Sequence, residues 1–273
     1  MHRWLVHGVD FTSRPSTRKP LTIATGSLAG RLFVLESVAE MADWGTFERW
    51  LRHDGPWIAG FDFPFGLPRE AVRDVDWPQR WPALVERCRE LGRDAFRQIL
   101  DRYRESRPVG NKYAHRRTDI PARSHSPLKL VNPPVGLMFL EGAPRLLDAG
   151  LEIPGLHAGD PTRIALEAYP AFGARGLAGG SYKNDTKAKQ TADRRTVRKQ
   201  IVAALVTGRL LGLAMQAPQK LLKTLEQDAT GDRLDAVLCA MQAAWAWQRR
   251  NANFGFPADV DPIEGWIATV ARQ

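Results

Sequence analysis

Cysteine is nearly absent from this sequence: Cys88 and Cys239 are the two in 273 residues, far apart and outside any C-x-x-C pair. That excludes a disulfide framework and a cysteine-held zinc site, and it fits a reducing compartment. Long apolar runs are missing too. The opening MHRWLVHGVDF is too short in apolar character for a secretory signal, and the longest later run, 236–247, falls short of the roughly 20 residues that cross a bilayer. A cytoplasmic protein without membrane contact is expected. There is no H-E-x-x-H, no histidine cluster and no G-x-x-x-x-G-K-[ST], which removes a zinc-peptidase helix and a P-loop.

What is present is core and positive charge. Hydrophobic residues make up 44% of the chain, enough for one large domain or two small ones. Lys and Arg number 39 against 30 Asp and Glu, a formal charge of +9 that suits a polyanion such as nucleic acid without establishing one.

RWLVHGVDF, at 3–11, is rich in strand formers, and LTIATGSLAGRLFVLESV reads as two further strands with a turn near 26–30. DWGTFERWLRHDG sets Trp44, Phe47, Trp50 and Leu51 at helical spacing. PWIAGFDF is almost continuously apolar, as in a strand covered on both faces, and Pro64, Gly66 and Pro68 end it. A long amphipathic helix over 82–106 follows. From 107 to about 160 the pattern dissolves into Pro, Gly, Ser and basic residues, apart from a short helix near 135–149; loops of this length are functional or mobile. A strand at 164–169 and three helices complete the chain. This order predicts an α/β protein with a ribonuclease-H-like mixed sheet, its first strands antiparallel and later ones parallel, flanked by helices. One domain over 1–273 is expected, with a basic insertion at about 107–160. Right-handed crossovers allow the first and fourth strands to lie side by side at the sheet centre.

Asp10 and Asp62 then occupy equivalent places near the carboxyl ends of those two strands, where open α/β sheets put their sites. Glu167 ends the next strand. Asp232 and Asp235 stand three apart at the start of the last helix and can face one side; the stripe Leu234, Leu238, Met241 and Trp245 would lay that helix on the sheet. Clustered carboxylates repel by around 4 kcal/mol per pair at about 4 Å and an effective dielectric of 20, so a counter-charge is required. An all-oxygen set is the preference of Mg²⁺ or Mn²⁺, and two such ions would serve phosphodiester hydrolysis. Structural alternatives stand beside this reading: a turn at Asp10, a buried structural acid at Asp62, a salt bridge at Glu167, an N-cap at Asp232 and a favourable helix dipole at Asp235.

The segments GVDFTSRP, AGFDFPFGLP, LEAYPAF, SYK and GDRLDAVLCAMQAAWAW resemble the domain-of-unknown-function family numbered 429, classed by fold similarity as ribonuclease-H-like nucleases. The resemblance covers most of the chain and implies a divalent-metal nuclease fold, carried onto Asp10, Asp62, Asp232 and Asp235, with Glu167 as an addition. It implies no biological substrate and does not reach 107–160.

Two basic segments accompany the acids. YKNDTKAKQTADRRTVRKQ holds Lys183, Lys187, Arg194, Arg195 and Arg198, which could track a phosphate backbone or simply form a solvated helix face. GNKYAHRRTDIPARSHS adds Arg116 and Arg117, a tyrosine able to stack on a base, and His115 and His125. The expected function is metal-dependent cleavage of nucleic acid. An ATP-dependent phosphotransferase built on the same sheet and a non-catalytic nucleic-acid-binding module remain open.

Overall fold

The computed structural model describes residues 3–271. Strands β1 (Leu5–Asp10), β2 (Leu21–Ala29) and β3 (Leu32–Met41) form an antiparallel run. The hairpin turns at Gly30, which takes the left-handed φ of +59° that a side chain would disfavour. Helix α1 (Trp44–Leu51) is capped by Asp43, whose carboxylate accepts the Thr46 N–H at 2.8 Å, and it buries Phe47 and Leu51. Then come β4 (Trp57–Phe61), α2 (Arg69–Asp74) and α3 (Trp81–Ser106), the long helix expected from the sequence, broken at Gly92. Helix α4 (Asp119–Ala122), α5 (Val135–Asp148), β5 (Leu151–Glu152), β6 (Asp160–Glu167) and α6 (Pro170–Arg175) follow. Next come α7 (Ala192–Val206), β7 (Ala214–Gln216), α8 (Gln219–Gln227) and α9 (Asp232–Gln248), followed by a short segment packed on the second core.

The seven strands form one sheet in the order β5-β6-β4-β1-β2-β3-β7. β4, β6 and β5 continue parallel from β1, and β7 adds parallel to β3. This is the mixed, ribonuclease-H-like sheet expected from the order of elements, with β1 and β4 adjacent and parallel at its centre. The edge strands β5 and β7 span two and three residues, too short for any periodicity to announce them. Alternating side chains feed two cores. Val9, Phe61 and Ala165 pack towards α1, α3 and α5, while Val6, Ile58 and Ile164 pack towards α7 and α9.

The segment 107–160, expected to be functional or mobile, is a packed part of the molecule. Leu128, Leu130, Leu137, Phe139 and Leu146 are buried in the first core, and Arg116, Thr118 and Asp119 are buried beside it. Its apolar residues are spaced irregularly because loop and helix share the work, so no single period reveals them. No helix among the described residues is long and apolar enough to cross a membrane.

What positions the site is the close seat of α9. Gly8 and Gly60 are paired in register across β1 and β4. A Cβ on Gly8 would lie 2.0 Å from the Ala236 carbonyl oxygen and 2.1 Å from the Ala240 nitrogen, and one on Gly60 would lie 2.5 Å from the Cys239 carbonyl oxygen. The helix therefore touches bare strand backbone through Ala236, Cys239 and Ala240. The larger stripe expected to make this contact is turned to other neighbours: Leu238 reaches Gly173 in α6, and Trp245 lies against Gly255.

Candidate metal centre

Past the last registered pair, Val9 with Phe61, the two strands deliver Asp10 and Asp62 side by side. Side chains alternate along a strand, so both acids fall on the face that Gly8 and Gly60 clear for α9. The helix, drawn close, brings Asp235 down on the same point. One carboxylate oxygen from each of Asp10, Asp62 and Asp235 lies within 4.8 Å of the others. Asp10 and Asp235 are buried and Asp62 is partly so.

These acids differ in how they are satisfied. Asp235 accepts a hydrogen bond from the Tyr182 hydroxyl at 2.5 Å and an ion pair from the Lys183 ammonium. Asp10 and Asp62 accept no side-chain hydrogen bond from any described residue. Burial pushes the Asp10 carboxyl well above its usual range, with Asp235, Asp232 and Asp62 adding repulsion that Lys183 only partly offsets. Burial likewise raises Asp62, to about 7, with Asp235 contributing. Lys183 loses some affinity for its proton through burial, but Asp235 more than restores it, so the ammonium stays charged. Gly231, at φ +80°, makes room for that lysine: a Cβ there would meet the Lys183 Cβ at 2.7 Å.

Oxygen-only donors, two of them without hydrogen-bond partners, surrounding one point and short of positive charge, match what a hard divalent cation requires. Asp10, Asp62 and Asp235 could hold such an ion. Asp232 sits at the first helical position behind Gly231, so it is not the N-cap; burial raises its carboxyl, while Lys19 and Lys183 pull it down. It borders the triad without joining it.

Glu167 is not in the cluster, which corrects the placement expected from its strand-end position. It stands opposite Phe61 in register, one residue short of Asp62, and therefore belongs to the other face of the sheet. Both its oxygens are occupied there: Arg116 donates to them at 2.6 and 2.7 Å, and the Phe65 N–H donates at 2.9 Å. Arg116 in turn is excluded from a nucleic-acid surface. It is 1% exposed, and its remaining donors go to Asp119 and to the Glu264 carbonyl. Arg198 is also buried, donating to the Tyr182 and Glu226 carbonyls, so it fixes the loop that carries Lys183 and is not available to a phosphate backbone. Arg117, Lys187 and Arg195 are exposed, and Arg194 is partly so.

Lys183, read as one of a basic run, also pairs with Asp235 and offsets part of the charge of the acid cluster. Tyr182, quoted only within SYK, was given no role. A signal for the triad did exist in the sequence: GVDF at 8–11 and GFDF at 60–63 repeat the same glycine–acid spacing, and the repeat aligns in register across β1 and β4.

A cleft of about 340 Å³ opens beside the triad, lined by its Asp62 and by Lys183. Phe63, Tyr169, Tyr182 and Met138 line it, with His125. A family model described as "Protein of unknown function (DUF429)" matches residues 8–261. No curated protein matches the chain, and no solved structure does.

Proposed function

The chain belongs to the DUF429 family, and on that premise we propose that it is a divalent-metal-dependent nuclease that hydrolyses phosphodiester bonds. One observation carries the reading: three convergent carboxylates at the ends of adjacent parallel strands and a helix, two of them without a donor, in a basic chain. Asp10, Asp62 and Asp235 would hold Mg²⁺ or Mn²⁺, and a second ion would enlist Asp232. A bound ion of this kind lowers the pKa of water and stabilises charge on phosphoryl oxygens. Lys183, held charged at the edge of the triad, supplies a cation for the substrate phosphate. The exposed Lys187, Arg195 and Arg117 and the partly exposed Arg194 are left to take up flanking phosphates without reading sequence.

The test is cleavage of single-stranded, duplex, hybrid and branched nucleic acids in Mg²⁺ or Mn²⁺ by the wild type and by Asp62→Asn. The wild type is expected to cleave and the variant to lose that activity; equal activity in both would overturn the site. A second reading, phosphoryl transfer from ATP to a small molecule, draws on the cleft beside the triad. Thermal stabilisation by ATP without nucleic-acid cleavage would favour it.

A further inference from the structure

We propose that the cleft beside the triad is a subsite for one unpaired nucleobase, so that the chain acts next to nucleotides that have left the helical stack. This rests on the nuclease reading and names its substrate class. The cleft has two chemically distinct ends. Asp62 and Lys183 form one end and belong to the candidate metal centre, where a phosphate is attracted. The body is formed by Phe63, Met138, Tyr169 and Tyr182, and its lining is mostly apolar. Arg116 also borders the body, yet every nitrogen of its guanidinium already donates to Asp119, Glu167 or the Glu264 carbonyl. Among the described residues that line the body, no arginine or lysine is therefore free to receive a second phosphate, and a charged group driven in among the rings would lie poorly paired. What fits is a ligand with negative charge at one end and a neutral, flat group at the other. A nucleotide has that shape, and base faces stack on aromatic side chains with little regard to sequence.

His125 supports the assignment. It is an exposed residue bordering the cleft and has no hydrogen-bond partner among the described residues, so at the rim it can offer one to a base edge. The volume, about 340 Å³, is at the small end of ligand pockets, room for a nucleotide and not for a base pair held in a duplex. A base that enters must first unstack, which is easiest in a single strand or at a frayed end.

The experiment uses the full chain and a short single-stranded oligonucleotide carrying 2-aminopurine, with Ca²⁺ in place of Mg²⁺ or Mn²⁺. Binding and base fluorescence are compared with the same base paired in a duplex. Single-strand binding is expected to be at least about tenfold tighter than duplex binding and to quench the probe through ring stacking. Met138→Trp, which fills the cleft, is expected to weaken it by about tenfold while Mn²⁺ affinity stays unchanged. His125→Ala gives a second, non-disruptive variant, with a smaller loss in the same direction. Equal affinity for duplex and single strand, or unchanged binding in both variants, overturns the subsite. Failure of the nuclease reading shows separately, as absence of cleavage by the wild type while the probe still binds.

Discussion

Replacing Asp62 by Asn should make the metal-free protein more stable, by an amount that is nil near pH 4 and grows until about pH 7. In the unfolded chain this carboxyl ionises near 3.8, whereas in the folded protein burial and the Asp235 charge raise it to about 7. Below about pH 4 both states hold the proton, and the group favours neither. Between these values the folded state keeps a proton that the unfolded state lacks, so stability falls as pH rises through the window. Above about 7 both states are ionised and the full penalty remains, at most about 4 kcal/mol at 1.36 kcal/mol per pH unit. Direct repulsion gives the same scale: two charges 4.8 Å apart at an effective dielectric of 20 cost about 3.5 kcal/mol. Solvent reaches Asp62, so roughly half of this, about 2 kcal/mol, is the expected gain at pH 8. That corresponds to a Tm rise of roughly 4–8 °C. Urea unfolding in EDTA from pH 4 to pH 8 measures it. The wild type should gain about 2.7 kcal/mol in Mn²⁺ at a hundred times Kd, and the variant far less. An Asn variant that is no more stable than the wild type at pH 8, or whose advantage persists at pH 4, refutes the reasoning.

Lys183→Met should act in the opposite direction, lowering metal-free stability by about 1 kcal/mol and enlarging the gain on adding Mn²⁺, because a competing cation is gone; thermal scans in EDTA and in Mn²⁺ decide, and an unchanged metal response counts against its counter-ion role. Arg116→Met leaves Glu167 and Asp119 buried without their partner and should cost about 3–5 kcal/mol in urea unfolding, whereas a loss below about 1 kcal/mol would mean the network is unimportant. Gly8→Ala thrusts a methyl into the backbone of α9 and should cost about 1–3 kcal/mol while displacing Asp235, so calorimetry should record weakened Mn²⁺ binding; unaltered binding would break the link between the glycine and the site.

Asp10 and Asp62 were legible because local rules sufficed for them. Each ends an apolar strand at a turn, and parallel neighbours with matching patterns align their ends. Asp235 was legible from its place at the start of a helix too apolar to lie anywhere but on the sheet. The face that helix presents was not, because the choice between its large stripe and its small one depends on two glycines in strands more than 170 residues away.

The sequence by itself determined the order of the main strands of a mixed sheet and the acids at their ends, and it allowed the central pairing of β1 with β4, since hydrophobic period, turn residues and crossover handedness are local properties. Only the tertiary structure decided where the charged side chains went. Glu167, Arg116, Arg198 and Lys183 each look like surface charge in sequence, and each is committed to a partner brought from afar: Glu167 to an arginine 51 residues earlier, Lys183 to an aspartate 52 residues later. The reason is physical. Apolar burial follows a period that a single segment displays, whereas a buried charge is tolerated only where another chain segment happens to supply its counter-charge.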